Sequence, residues 1–268
     1  MRLQVRKYKS ILGMQLPDPI TVVRTVVAEY IAERLGPEFH DRKIQKMEAV
    51  TLDTILRRKN PYLFRAKNLL TAESLIEAVL DATISSGEET VFGNFLEQIA
   101  IRAAAVSYGG HKSGIKGIDL EFSREGRRYF VAIKSGPSWG NSSQIEKLKR
   151  DFEAARRTLA TSGGGVVEAV FIEGCCYGQD DMPNKGSHLK LCGQRFWELV
   201  SGDDDLYRLL IQPLGLHAGE KTQHLLELRA AKVNQFSLAF IERFCDSSGA
   251  IDWERLVRYN SGRVRESL

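Results

Sequence analysis

The stretch GIDLEFSREGRRYFVAIKSGPSWGNSSQ, from Gly117 to Gln144, decides how the chain is read. Two short apolar runs, Ile118 to Phe122 and Tyr129 to Ile133, flank SREGRR, a polar turn with glycine at Gly126. Such runs around a glycine-containing turn predict an antiparallel hairpin. Period-two alternation puts Ala132 and Lys134 on one face of the second strand and Val131 and Ile133 on the other. A lysine closing an apolar strand needs a partner. Asp119, at the start of the first strand, is within reach, and Glu121 lies on the same face of that strand.

Outward from the hairpin, Ser143-x-x-Glu146 has the pattern of a capping box, and Ile145, Leu148, Phe152, Ala155 and Leu159 follow at helical spacing. Gly163-Gly164-Gly165 breaks that helix, and Val166 to Ile172 (VVEAVFI) reads as the next buried strand. Strand, helix and strand at this spacing imply a right-handed crossover between parallel neighbours.

The first ninety or so residues read as helices. Asp18 to Leu35 carries one apolar face and is expected to stop at Gly36-Pro37; Lys43 to Lys59 is expected to end at Asn60-Pro61. Thr71 caps a third helix that buries Leu75, Ile76, Val79 and Leu80. After Ser85-Ser86-Gly87, Glu88 to Val106 forms a longer helix in which Glu97 sits at the edge of an apolar stripe. Beyond the core, Gln194 to Val200, Asp204 to Ile211, Lys221 to Phe244 and Ile251 to Tyr259 also read as helices. The fold class is therefore α/β, with a small mixed central β-sheet flanked by helices and helical extensions at both ends. The expected organisation is one domain over 1–268, with a helical region 1–70, a catalytic core 71–175 and a mainly helical region 176–268.

Composition permits much and selects little. The 268 residues are 43% hydrophobic, enough for a sizeable core. No apolar run approaches the roughly 18 residues of a spanning helix, and MRLQVRKYKS lacks the apolar segment of a secretory signal, so the expected compartment is the cytoplasm, with no membrane partner. Cys175, Cys176, Cys192 and Cys245 are too unevenly placed for a disulfide framework. With His188 they do not make a zinc pattern either, because no C-x₂-C pair occurs. The net charge of +4 suits nucleic acid without requiring it.

An acid and a lysine on adjoining strands are the parts needed to hydrolyse a phosphodiester. A divalent cation stabilises charge on the phosphorus oxygens and readies a water, and a lysine beside that water orients or deprotonates it. Mg²⁺ takes hard oxygen ligands and keeps several waters, so one or two carboxylates and a carbonyl suffice. The arrangement resembles the PD-(D/E)XK nuclease superfamily. The ordered segments FGNFLEQIAI, YGGHKSGIKGIDLEF, YFVAIKSGPSWGNSSQ, GCCYGQ and FWELVSGD together look like a type II restriction endonuclease, over roughly Leu70 to Gly262. That resemblance implies a Mg²⁺-dependent enzyme cutting double-stranded DNA at a short specific sequence, a homodimer, and a companion DNA methyltransferase. It implies Asp119 as metal-binding acid, Lys134 as catalytic lysine and the Ile133 backbone carbonyl as a metal ligand.

Ala132 departs from the family pattern, which has an acid there. Glu97, projecting from the preceding helix, is the favoured replacement as catalytic and metal-binding acid, and Glu121 is the other candidate. A PD-(D/E)XK nuclease of DNA repair or of modified DNA, and an inactive DNA-binding relative, remain alternatives. Asn141, Ser142, Ser143 and Gln144, at a helix N-terminus beside Lys134, are expected to contact phosphate, with Gln144 placed to orient water. His111, Lys112 and Lys116, in the loop before Asp119, are expected to contact the DNA backbone, with Arg127 and Arg128 of the hairpin turn as weaker candidates. Trp139, Trp197 and Trp253 read as core residues.

Overall fold

The structure is a computed structural model that describes residues 18–161, 168–215 and 218–263. In chain order its elements are α1 (Pro19–Tyr30), a π-helical turn (Ile31–Leu35), α2 (Gly36–Ala49), α3 (Leu52–Arg58), α4 (Pro61–Ala66) and α5 (Ala72–Tyr108). There follow β1 (His111–Lys112), β2 (Leu120–Arg124), β3 (Arg127–Lys134), α6 (Ser142–Thr161), β4 (Ala169–Cys175) and β5 (Leu189–Cys192). The remaining helices are α7 (Gln194–Ser201), α8 (Leu206–Leu209), α9 (Ile211–Gly215), α10 (Ala218–Phe244) and α11 (Trp253–Ser261). The described chain divides into two compact units, one from Met1–Ile31 and Phe95–Pro213, the other from Ala32–Asn94 and Leu214–Leu268.

The first unit holds the sheet, in the order β1-β2-β3-β4-β5. β1, β2 and β3 are antiparallel neighbours, whereas β3, β4 and β5 run parallel. The mixed sheet with helices is thus the α/β class expected; the β2–β3 hairpin and the parallel β3–β4 pair are present, but β2 begins at Leu120 and not Ile118, and β4 runs on past Ile172 to Cys175. One face of the sheet carries Phe130, Ala132 and Phe171, packed against Leu148, Phe152 and Ala155 of α6. The opposite face is covered by α7: a Cβ at Gly174 would lie 2.4 Å from the Phe196 ring. Glycine there lets the helix approach the strand closely.

The second unit is helical. Its core gathers Ile55, Leu56, Leu75, Ile76, Val79, Leu80, Phe236, Phe240 and Phe244. The Thr71 cap is present, with its hydroxyl accepting from the Ser74 N–H at 3.1 Å.

Several helix boundaries differ from expectation. Gly36-Pro37 does not stop the first helix but opens α2, because an N–H in a first turn needs no intrahelical acceptor and proline is tolerated there. Lys43 to Lys59 is two helices, since Thr51 adopts an extended conformation and caps α3 through the Thr54 N–H. Ser85-Ser86-Gly87 does not break α5. A Cβ at Gly87 would fall 1.8 Å from Lys46 Nζ, and that ammonium donates to the Thr83 carbonyl at 2.8 Å, so packing outweighs weak helix propensity. Asp204 to Ile211 is likewise two short helices, Leu206–Leu209 and Ile211–Gly215. His111–Lys112, read as loop, pairs with β2, and β5 had no counterpart in the sequence reading. Gly163-Gly164-Gly165, Val166, Val167 and the MRLQVRKYKS segment lie outside the described residues. Among the described residues no helix is long and apolar enough to cross a membrane.

Candidate active site

Every candidate residue belongs to the first unit. Asp119 precedes β2, and its N–H donates to the Val131 carbonyl at 2.8 Å. Its carboxylate then continues the ladder: Oδ2 accepts the Ile133 N–H at 2.7 Å. The same oxygen lies 3.9 Å from Lys134 Nζ. The two side chains are only 28% and 23% exposed, so the pair is open to a ligand while held by the strand ends. Because the N–H and C=O of one strand residue point the same way, Ile133 also turns its carbonyl past the start of β2, beside Asp119. The Lys134 carbonyl points the other way and accepts from the Cys176 N–H at 2.9 Å.

The two acids considered for the role missing at Ala132 differ in how they are held. Glu121 is buried and engaged on both oxygens, by the Ser113 hydroxyl and by Arg128 at 3.2 Å. Glu97, on the C-terminal part of α5, forms its ion pair with Lys112 of β1 at 3.5 Å and not with Lys134. It also lies near the Cys176 thiol, which burial, and then the Glu97 charge, push up. Cys176 follows β4, and its N–H bonds to the Lys134 carbonyl at the end of β3. Among the described residues, no group of three or more His, Cys, Asp or Glu side chains is arranged to hold a metal ion.

The segment after Lys134 caps α6 differently from the expected Ser143/Glu146 box. Asn141 is the cap: its Oδ1 accepts the Gln144 N–H at 3.1 Å, and Gln144 Oε1 accepts the Asn141 N–H at 2.9 Å. This reciprocal pair is the same physics two residues earlier, with amides in place of hydroxyl and carboxylate. Ser143 Oγ donates to Asn141 Oδ1 at 2.8 Å, so Gln144 and Ser143 are bound locally. Asn141, Ser142, Ser143, Gln144, Lys112 and Lys116 are all exposed.

Sequence reasoning missed one cluster beside the site. Ala132 stands in register with Glu173 of β4, and Glu173 with Lys190 of β5. The Glu173 side chain is only 5% exposed. Oε1 accepts from Trp139 Nε1 at 2.8 Å and from Lys190 Nζ at 3.0 Å, while His188 Nε2 lies 3.1 Å from Oε2. Burial would raise its pKa, but the bonds from His188, Trp139 and Lys190 outweigh burial and hold it down to about 2. The available signal was a single acid inside the apolar run AVFIEGC, which a buried strand tolerates only if it is paired. His188, considered for zinc, belongs to this network. Trp139 is less than a core residue: it is partly exposed, and Lys134 Nζ lies 4.9 Å from its ring centroid.

The five-stranded mixed sheet flanked by helices is that of a restriction-endonuclease-like fold. Comparison with protein families matches residues 25–222 to the type II restriction endonuclease EcoO109I family. The match spans most of the chain, and the protein belongs to that family of type II restriction endonucleases. A search of the curated proteins finds no match. DNA is therefore its substrate, and the restriction enzyme is favoured over the repair nuclease.

Proposed function

We propose that this endonuclease is Mg²⁺-dependent, cuts double-stranded DNA at a short specific sequence as a homodimer, and belongs to a cytoplasmic restriction–modification system with a companion DNA methyltransferase. The observation that carries the catalytic reading is the 3.9 Å approach of Lys134 Nζ to Asp119 Oδ2 at the strand ends. Homodimerisation follows from the symmetry of a palindromic duplex site, which needs two equivalent cuts.

The donors at the site suit Mg²⁺. Asp119 offers a partly exposed carboxylate whose described bonds fall on Oδ2, and the Ile133 carbonyl and Glu97 are the further oxygen donors this reading assigns. All are hard oxygen ligands of the kind Mg²⁺ prefers, and water and substrate phosphate would supply the rest. When bound, the cation supplies charge stabilisation at the phosphate and a more acidic water.

The chain's own residues do the rest. Asp119 and Glu97 would hold the cation, and the Ile133 N–H fixes the Asp119 carboxylate against rotation. Lys134 orients the attacking water and offsets the negative charge that grows on phosphorus oxygens. The water oxygen bonds to phosphorus as it gives up a proton to solvent, one P–O ester bond breaks, and the leaving oxygen takes up a proton from solvent. Asn141 and Ser142 at the α6 N-terminus, with Lys112 and Lys116, hold the flanking phosphates.

Digestion of plasmid DNA with Mg²⁺, followed by mapping of fragment ends, tests this reading. Discrete bands with uniform ends from the parent, and none from Lys134→Ala, are expected. A smear of random ends, or undiminished cleavage by Lys134→Ala, would contradict it.

A further inference from the structure

Beside the Asp119–Lys134 pair lies a buried network that an indole links to the site. Trp139 donates its Nε1–H to Glu173 Oε1 at 2.8 Å and presents its ring to Lys134, with Nζ 4.9 Å from the centroid. Glu173 is fixed in turn by Lys190 at 3.0 Å and by His188 at 3.1 Å, and Ser187 Oγ lies 3.0 Å from His188 Nδ1. Lys190 Nζ also donates to the Pro137 carbonyl at 2.8 Å, which ties the Ser135–Gly140 turn carrying Trp139 to β5. The chain of contacts therefore runs from a buried anion, through an oriented indole, to the ammonium of Lys134.

We propose that Trp139, anchored by Glu173, is a positioning residue that seats Lys134 against Asp119 for cleavage. A lysine on a flexible four-carbon stem has many rotamers, and only some put its nitrogen beside the attacking water. The indole face attracts the ammonium and narrows that choice. The anchor keeps the ring from turning, because rotation would strip a buried carboxylate of a hydrogen bond. Small Ala132, in register with Glu173 and packed in the cluster that Trp139 lies against, places no second carboxylate against this one. This inference rests on the reading of Lys134 as the catalytic lysine.

The experiment is a double-mutant cycle on the full chain with Trp139→Phe, Glu173→Gln and both together. It reads the single-turnover cleavage rate of plasmid DNA with Mg²⁺ at saturating enzyme, and DNA binding by gel shift without metal. Phenylalanine keeps a ring but cannot bond to Glu173. Each single variant is expected to lose about 2- to 30-fold in cleavage rate, with DNA binding changed by less than about twofold. Glu173→Gln is expected to have no further effect once Trp139 is Phe, because its route to Lys134 is then gone. A second readout needs neither metal nor activity. In Trp139→Leu, confirmed folded by circular dichroism, the ring-current shift of the Lys134 side-chain NMR signals is expected to vanish. Parental cleavage rates in Trp139→Phe, additive losses in the cycle, or Lys134 signals indifferent to Trp139→Leu would overturn the proposal. A parent that does not cleave but whose Lys134 signals do respond would instead count against the catalytic reading of the site.

Discussion

Ala132 and Glu173 sit in register on the parallel strands β3 and β4, so the position that lacks an acid stands directly beside a buried one. Glu173 does not simply replace the missing acid, because both of its oxygens are engaged by Trp139, Lys190 and His188. The lateral neighbour explains instead why alanine is well tolerated at 132. A carboxylate there would lie against another carboxylate and among Phe130, Phe152 and Phe171.

Ala132→Glu is therefore expected to destabilise the protein, by about 2 kcal/mol or more. Ala132 is fully buried, so the new charge cannot escape to solvent without disturbing the packing. Urea unfolding of parent and variant measures this. Unchanged stability would mean that the new side chain reaches the Asp119–Lys134 mouth instead.

Glu173 gives the fold a specific acid sensitivity. Its carboxyl titrates at about 2 in the folded protein against an ordinary value of 4.5, so the folded state favours the anion. The stability this provides is complete above the ordinary value and is lost as pH falls from there towards 2, with a ceiling on the order of 3 kcal/mol. Unfolding curves across that window are expected to be steeper in pH for the parent than for Glu173→Gln. Parallel pH dependences would show that the network does not hold the anion.

Asn141→Ala removes the α6 cap and releases the Gln144 side chain that bonds back to it. A loss of about 1 kcal/mol in stability is expected. If the α6 N-terminus also meets phosphate, DNA affinity falls beyond what unfolding explains. Equal losses of stability for Asn141→Ala and Ser143→Ala would point to the Ser143 cap that the sequence suggested.

Lys116 is exposed and forms no ion pair among the described residues, whereas Lys112 is shared with Glu97. Lys116→Ala is expected to weaken DNA binding on every sequence and to reduce the salt slope of log K by about 0.9. A salt slope equal to the parent's would remove Lys116 from the DNA interface.

Much of the site was legible because it lies within one hairpin. The alternation that sets Lys134 apart from Ile133, and the acid at the start of the partner strand, are local signals with a fixed period. The helix ends were less legible. Gly87 sits inside α5 because Lys46 packs over it, and no local rule reports a contact across that distance in sequence. Glu173, His188 and Lys190 come together only through the register of β4 and β5, so the network joining them to Trp139 could not be assembled from spacing. The α6 cap was mislocated for a simpler reason: Asn141 and Gln144 satisfy the same reciprocal geometry as the hydroxyl–carboxylate pair two residues later.

We propose that the second acid comes from α5 and not from β2. Among the described residues Glu97 pairs with Lys112 at 3.5 Å, while Glu121 is already held by Ser113 and Arg128. The decisive measurement is the single-turnover rate of DNA cleavage with Mg²⁺ for Glu97→Ala and Glu121→Ala beside the parent, with DNA binding measured in parallel. Glu97→Ala is expected to lose about 100-fold or more in rate while still binding DNA, and Glu121→Ala to keep most of the parental rate. A parental rate in Glu97→Ala, with cleavage abolished in a folded Glu121→Ala, would contradict the account.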